Sequence, residues 1–179
     1  MTRYRYNTAT TLDGFLADDA DSLDWLLKQE FDQHGPGGFE AFMAGVGAQV
    51  MGATTYEWIL DHEQGAWSYT APTFVFTHRP LEPVHETITM VSGEPAEHRA
   101  AIEAAAGDKD VWMVGGGDLA ASFAAAGMLD EILVGVAPVT LGSGRPLLGG
   151  AFDLRLEESD RNHEFLVARY AVVGPIGTR

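Results

Sequence analysis

The chain has 179 residues, 46% of them hydrophobic and 21% charged, enough for one full core, and no Pro/Gly/Ser-rich linker divides it, so a single domain over residues 1–179 is expected. Acidic residues outnumber basic ones 26 to 11, giving a net charge of −15 that repels nucleic acid and anionic lipid, and no apolar run approaches the length of a membrane span. The absence of cysteine removes disulfides, thiolate metal sites and thiol catalysis, and the opening Met1-Thr2-Arg3-Tyr4-Arg5-Tyr6 alternates where an export signal would be continuously apolar, so a cytoplasmic location is expected.

In chain order, residues 3–11 read as a strand, followed by a Gly/Asp-rich loop through Asp21 and by helical segments at Leu23–Phe31 and Phe39–Gly45. Gln49–Gly52 is a short strand that runs into a helix over Thr54–Leu60, with Thr54 or Ala53 near its cap. Pro72–Thr77 and Thr87–Val91 are short strand-type runs, and Pro95–Ala106 is a helix that stops at Gly107. Val111–Val114 is predicted as strand, Asp118–Ala126 as helix and Glu131–Ala137 as strand. Pro138–Gly150 is a glycine-rich loop, and Phe152–Ser159 with Glu164–Val173 form an antiparallel hairpin around a break at Asp160-Arg161-Asn162. Such alternation of strands and helices implies an α/β fold: a mixed, mostly parallel sheet with helices on both faces and a C-terminal antiparallel hairpin.

The most informative stretch is Val111-Trp112-Met113-Val114-Gly115-Gly116-Gly117-Asp118-Leu119-Ala120, an apolar strand that meets three glycines and then an alanine-rich helix. Backbone amides free of Cβ atoms at a helix N-terminus can close around a phosphate; the same glycines also suit a tight strand-to-helix turn that binds nothing. Gly115-x-Gly117-x-x-Ala120 fits the dinucleotide fingerprint, but the acid that fingerprint needs about 20 residues on is missing, since the next strand ends at Ala137-Pro138. No Gly-Lys-Ser/Thr is present for a P-loop. His34, His62, His78, His85, His98 and His163 lack paired metal-ligand spacing, so no metal site is expected. Ser122 and Ser143 lack a nucleophile elbow, and the acidic loop of Asp18, Asp19 and Asp21 lacks the glycine and glutamate of a calcium site.

Several segments in order resemble the reductase superfamily that contains dihydrofolate reductase and the C-terminal reductase domain of the riboflavin-biosynthesis deaminase/reductase. Thr11-Leu12-Asp13-Gly14-Phe15-Leu16-Ala17 looks like its S-L-D-G-x-I-A, Met51-Gly52-Ala53-Thr54-Thr55-Tyr56-Glu57 like G-R-x-T-Y-E, and Phe74-Val75-Phe76-Thr77-His78-Arg79-Pro80 like its strand and T-x-R-P turn. Val114-Gly115-Gly116-Gly117 matches the double-glycine turn, and Gly127-Met128-Leu129-Asp130-Glu131 through Ala137-Pro138-Val139-Thr140-Leu141-Gly142-Ser143-Gly144 resembles G-L-V-D-E-L-x-L-x-x-x-P-x-x-L-G-x-G. Together they span nearly the whole chain. The match is specific for fold and cofactor and weak for substrate.

The resemblance implies an NADPH-dependent (NADP) oxidoreductase that transfers a hydride to a C=N or C=O of a small pterin- or pyrimidine-like substrate, as a stand-alone relative of the riboflavin-pathway enzyme. It implies cofactor contacts from Ala17, from Gly52, Ala53, Thr54 and Thr55, and from Val114, Gly115, Gly116, Gly117, Asp118 and Leu119, with a cis peptide at Gly115–Gly116. Thr77, His78 and Arg79 would surround the 2′-phosphate. Two departures bear on chemistry: Ala53 stands where the family has an arginine, and Val114 where the riboflavin-pathway reductases have a glutamate. Asp13, Glu40 and Tyr56 are catalytic candidates, and Asp13, Trp25 and Tyr56 substrate-binding ones. Asp13 could equally cap its loop, Trp25 could be core, and Tyr56 could simply pack. An aminopyrimidine reductase of the riboflavin pathway and a non-catalytic nucleotide-binding module are the alternatives. Family relatives often dimerise, and the C-terminal hairpin offers an edge for a homodimer.

Overall fold

Alternation at the start of the chain puts Tyr4 and Tyr6 on one face and Arg5 and Asn7 on the other. In the computed structural model, which describes residues 1–177, this segment is the central strand β1 (Tyr4–Thr11). It is followed by β2 (Phe15–Ala17), α1 (Asp24–Leu27), α2 (Phe39–Ala44), β3 (Val46–Gly52), α3 (Ala53–His62), β4 (Thr73–Phe76), β5 (Ile88–Val91) and α4 (Pro95–Ala106). The second half runs β6 (Asp110–Gly115), α5 (Gly117–Ala125), β7 (Glu131–Ala137), β8 (Arg145–Pro146), β9 (Phe152–Asn162) and β10 (Phe165–Pro175).

Eight strands form one sheet in the order β5-β4-β3-β6-β1-β7-β10-β9, and β2 pairs with β8 in a separate small ribbon. From β5 to β7 every neighbouring pair is parallel, whereas β10 runs antiparallel to both β7 and β9. A parallel sheet must be covered on both faces. On one face α4 and α5 place Ile102, Ala106, Ala120, Phe123 and Ala124 against Tyr4, Tyr6, Val50, Val111, Met113 and Ile132. On the other, α3 packs Tyr56 and Ile59 on Met51, Val75 and Ile88, Phe42 of α2 meets Trp112, and Trp25 of α1 meets Ala137 and Phe165. The mixed sheet, the two helical layers and the terminal hairpin agree with the architecture expected from sequence.

The differences from expectation have local causes. Phe15–Ala17 is a strand rather than part of a loop; three residues are too short to show alternation, and β2 exists only because β8 pairs with it from about 130 residues away. Helix α1 is a single turn, and Phe31 leaves it to pack edge-on against Phe165 at 5.2 Å. The hairpin turns at His163 (φ +49) and Glu164, not at Asp160-Arg161-Asn162. Asn162 is buried at the end of β9: its Oδ1 accepts from Asp32 N, and its Nδ2 donates to Asp32 O and Pro36 O. Asparagine's affinity for free backbone groups reads in sequence as a turn; here it ties down a distant loop.

Candidate functional site

Strand β3 continues through α3 to β4 on one side, whereas β6 continues through α5 to β7 on the other side of β1. The chain therefore diverges at the carboxyl ends of β3 and β6, and a crevice opens where the connections part. A cleft of about 490 Å³ lies there. It is lined by Gly52–Thr55 and Trp58 from β3 and α3, by Val114–Leu119 from β6 and α5, by Thr8, Ala9, Leu16 and Ala17 from β1 and β2, by Asp21, Leu23 and Leu26, and by Arg145 and Pro146 of β8.

Two helices begin at this cleft. The N-cap of α3 is Gly52 rather than Ala53 or Thr54, and that of α5 is Gly116; neither helix has a side-chain cap. First-turn N–H groups that no side chain satisfies are the donors an anion needs, and the helix dipoles add positive potential. Gly116 takes φ +97, a conformation costly for any residue with a Cβ, and this sharp turn feeds β6 into α5. The cis peptide expected at Gly115–Gly116 is not found, since the described residues contain no cis bond; the positive φ of Gly116 makes the turn instead. Gly117 is packed so closely that a Cβ would lie 2.1 Å from the Pro146 carbonyl oxygen, which seats the β8 loop on the start of α5.

The glycine and threonine segments expected to touch a cofactor thus converge: Ala17, Gly52, Ala53, Thr54, Thr55, Val114, Gly115, Gly116, Gly117, Asp118 and Leu119 all line the cleft. Their chemistry fits a dinucleotide pyrophosphate, with small residues for close approach and uncapped helix ends for charge. Thr77, His78 and Arg79 lie outside the lining. They follow β4, whose Phe76 pairs with Gly52 of β3, so their turn stands beside the cleft on the same edge of the sheet. Thr77 Oγ1 accepts from Arg79 N at 2.9 Å, and the Arg79 guanidinium grips both carboxylate oxygens of Glu57 at 3.0 and 2.7 Å.

The catalytic and substrate-binding candidates fare differently, for none lines the cleft. Glu40 is exposed on α2 and pairs with His34 at 2.8 Å. Tyr56 is buried beneath α3; its hydroxyl donates to Glu82 O at 3.0 Å and accepts from Val84 N at 3.2 Å, pinning the loop after β4. The Asp13 carboxylate accepts from Thr11 Oγ1 at 2.6 Å, from Leu141 N and from Gly142 N at 2.8 Å, so it straps the turn before β2 to the loop after β7. The Thr11 hydroxyl, then the Gly142 amide, hold its pKa below the usual carboxylate value. Trp25 is core, but its indole N–H donates to Leu16 O at 3.2 Å and so steadies the β2 wall of the cleft.

Sequence reasoning missed Thr8, Trp58 and Arg145. Trp58 stands four residues after Thr54, one helical turn along the same face, and that spacing could have identified it. Nothing local marks Arg145, a lone cation in a glycine-rich loop. Its guanidinium binds Asp21, with Nε to Oδ1 at 2.6 Å and Nη2 to Oδ2 at 3.1 Å, and this hydrogen bonding lowers the Asp21 pKa. Among the described residues no cluster of His, Asp or Glu could hold a metal ion, and no helix is long and apolar enough to cross a membrane.

A family model for the RibD C-terminal domain matches residues 4–164. The chain belongs to the RibD C-terminal domain family. Among relatives, it is 32% identical over 140 residues to the uncharacterized protein YwjB of Bacillus subtilis, covering 78% of each chain. The crystal structure of a putative riboflavin biosynthesis protein from Shewanella sp. PV-4 superposes with a TM-score of 0.80 at 26% identity, over 96% of this chain and 99% of that one. A diaminohydroxyphosphoribosylaminopyrimidine deaminase/5-amino-6-(5-phosphoribosylamino)uracil reductase from Thermotoga maritima shares the fold, with a TM-score of 0.66 at 15% identity over 96% of this chain and 56% of that one. The mostly parallel sheet with its C-terminal hairpin is thus the RibD reductase-like fold.

Proposed function

We propose that this RibD C-terminal domain protein is an NADPH-dependent reductase that delivers a hydride to a C=N or C=O of a small heterocyclic substrate of the pterin or pyrimidine class. One observation carries the reading: two uncapped helix N-termini and the Gly115–Gly117 turn meet at the divergence of β3 and β6, in a cleft large enough to enclose a ligand. Bound NADPH supplies the hydride. The chain's own residues bind, orient and exclude water. The amides of Thr54, Thr55 and Gly117–Leu119 would hold the pyrophosphate, with Ala17 beside them in the lining, and the Thr77–Arg79 turn next to the cleft would receive a 2′-phosphate. Ala9, Leu16, Leu23, Leu26, Trp58 and Val114 give the cleft apolar surface on which a planar ring can rest.

The carboxylates in the lining are Asp21 and Asp118. Asp21, held ionised by Arg145, is not a proton donor at neutral pH. With Asp13, Glu40 and Tyr56 outside the lining, the proton that completes the reduction would come from water or from Asp118, the other carboxylate of the cleft. The riboflavin-pathway aminopyrimidine reductase is the second reading, favoured by the near-complete overlay on the Shewanella protein; Val114 in place of the glutamate speaks against it.

The test pairs calorimetric titration of NADPH and NADH with stopped-flow nicotinamide oxidation over a panel of pterins, quinones and aminopyrimidines, including the ribosylated one. Binding with turnover supports a reductase, and the substrate that turns over decides between the two readings. Binding without turnover across the panel would leave a nucleotide-binding module, and no binding sinks the proposal. The protein is further proposed to act in the cytoplasm as a homodimer through the exposed β9–β10 hairpin; light scattering at micromolar concentration should give about twice the 19.3 kDa chain mass, and the monomer mass would refute it.

A further inference from the structure

In an acidic protein a cation at the contact strengthens the hold of backbone amides on a polyanion, and this chain has 11 lysines and arginines against 26 acids. Position 53 at the start of α3 is alanine, and Arg79 is held by Glu57 outside the cleft. Among the described residues that line the cleft, Arg145 is the only Lys, Arg or His. It stands opposite Ala17 in the β2–β8 ladder, and the carbonyl of the next residue, Pro146, rests on Gly117 at the first turn of α5. The Asp118 carboxylate of that turn is close enough to act on the Arg145 charge. Backbone contacts therefore fix Arg145 beside the helix end where an anion would sit.

Its present partner is Asp21. The pair is bidentate at 2.6 and 3.1 Å, yet its side chains are 58% and 37% exposed, so water and other anions reach it. Asp21 is presented by a tight loop: it takes φ +60, and the Asp18 carboxylate accepts from Ala20 N and Ser22 N on either side of it. A second clasp, Ser143 Oγ to Asp19 Oδ2 at 2.5 Å, joins the same two loops. Carboxylate and phosphate offer a guanidinium the same pair of oxygens.

Resting on the reading of the cleft as a dinucleotide site, we infer that Arg145 is its anion-binding residue and that Asp21 occupies the guanidinium until a phosphate displaces it. The phosphate belongs either to the cofactor or to a phosphorylated substrate; the chemistry is the same, and the test separates them.

The dissociation constants of NADPH, NADH and inorganic pyrophosphate are measured for the wild type, Arg145→Gln and Asp21→Asn, together with that of ribose 5-phosphate on the NADPH-saturated protein. Arg145→Gln should weaken the ligand by about tenfold, the loss of a charge-assisted hydrogen-bond pair. Asp21→Asn, which removes the competitor, should tighten it. Opposite signs are what a merely structural clasp would not produce, because cutting a clasp from either side loosens the same loops. Weakening of NADPH, NADH and pyrophosphate alike by Arg145→Gln assigns the cofactor; weakening of ribose 5-phosphate alone assigns the substrate. Unchanged constants in Arg145→Gln, or weaker binding in Asp21→Asn, overturn the inference. A wild type that binds neither dinucleotide overturns the proposed function instead, and the pyrophosphate arm then still judges Arg145.

Discussion

At the scale of single residues, Tyr56 and Asp13 show how a chemically able side chain becomes structural when its polar atoms are taken. The Tyr56 hydroxyl is used by Glu82 O and Val84 N in the layer under α3, so Tyr56→Phe should cost about 1–3 kcal/mol in a urea titration. Turnover per folded molecule should stay unchanged; a large fall in kcat with full stability would restore Tyr56 as a catalytic group. Asp13 and Asp21 have folded-state pKa values below the ordinary carboxylate value near 4, through Thr11 and Arg145 first in each case. A depressed folded pKa means that the unfolded chain binds the proton first, so both straps stabilise above about pH 4 and are lost as pH falls below it. Melting followed from pH 6 downward should therefore fall below about pH 4, and less steeply in Asp13→Asn, which has no charge there to lose.

At the scale of elements, the site depends on joins between segments distant in sequence. The β8 loop meets α5 through Gly117, whose missing Cβ admits the Pro146 carbonyl. Gly117→Ala should lower stability by roughly 1–3 kcal/mol, because backbone must move on both sides, and should weaken NADPH binding in the same titration. At the amino end of β7, away from the cleft, buried Glu131 is shared by Arg5 of β1 at 2.6 Å, Arg169 of β10 at 3.3 Å and Arg3 at 3.8 Å. Glu131→Gln leaves three guanidinium groups facing one another across three strands. Asp110, Glu157 and Glu158 retain part of the balance, so the expected loss is about 1–3 kcal/mol in denaturant midpoint rather than the full penalty of a broken buried pair.

At the scale of the whole molecule, a ligand held between β3 and β6 ties together both halves of the sheet, so binding should appear as stability. NADPH at a hundredfold excess over its dissociation constant should add about 2.7 kcal/mol, raising the melting temperature of a chain of this length by about 5–10 °C. The strand-glycine-helix run at 111–120, the Thr54-Thr55 helix start and the α4 and β7 boundaries were legible from sequence because each is encoded within a dozen contiguous residues. So was the fold, through the order of its motifs. The β2–β8 ribbon, the Asp21–Arg145 pair, the Asn162 anchor, the hold of Asp13 on Leu141 and Gly142 and the partners of Tyr56 were not, since each joins segments from about 25 to 130 residues apart and leaves no periodicity behind. The sequence by itself determined which segments could bind a phosphate, since the absence of a Cβ and the start of a helix are local properties. Only the tertiary structure decided which of them face one cleft and which polar side chains are already taken, because burial and hydrogen-bond partners depend on where the rest of the chain comes to lie.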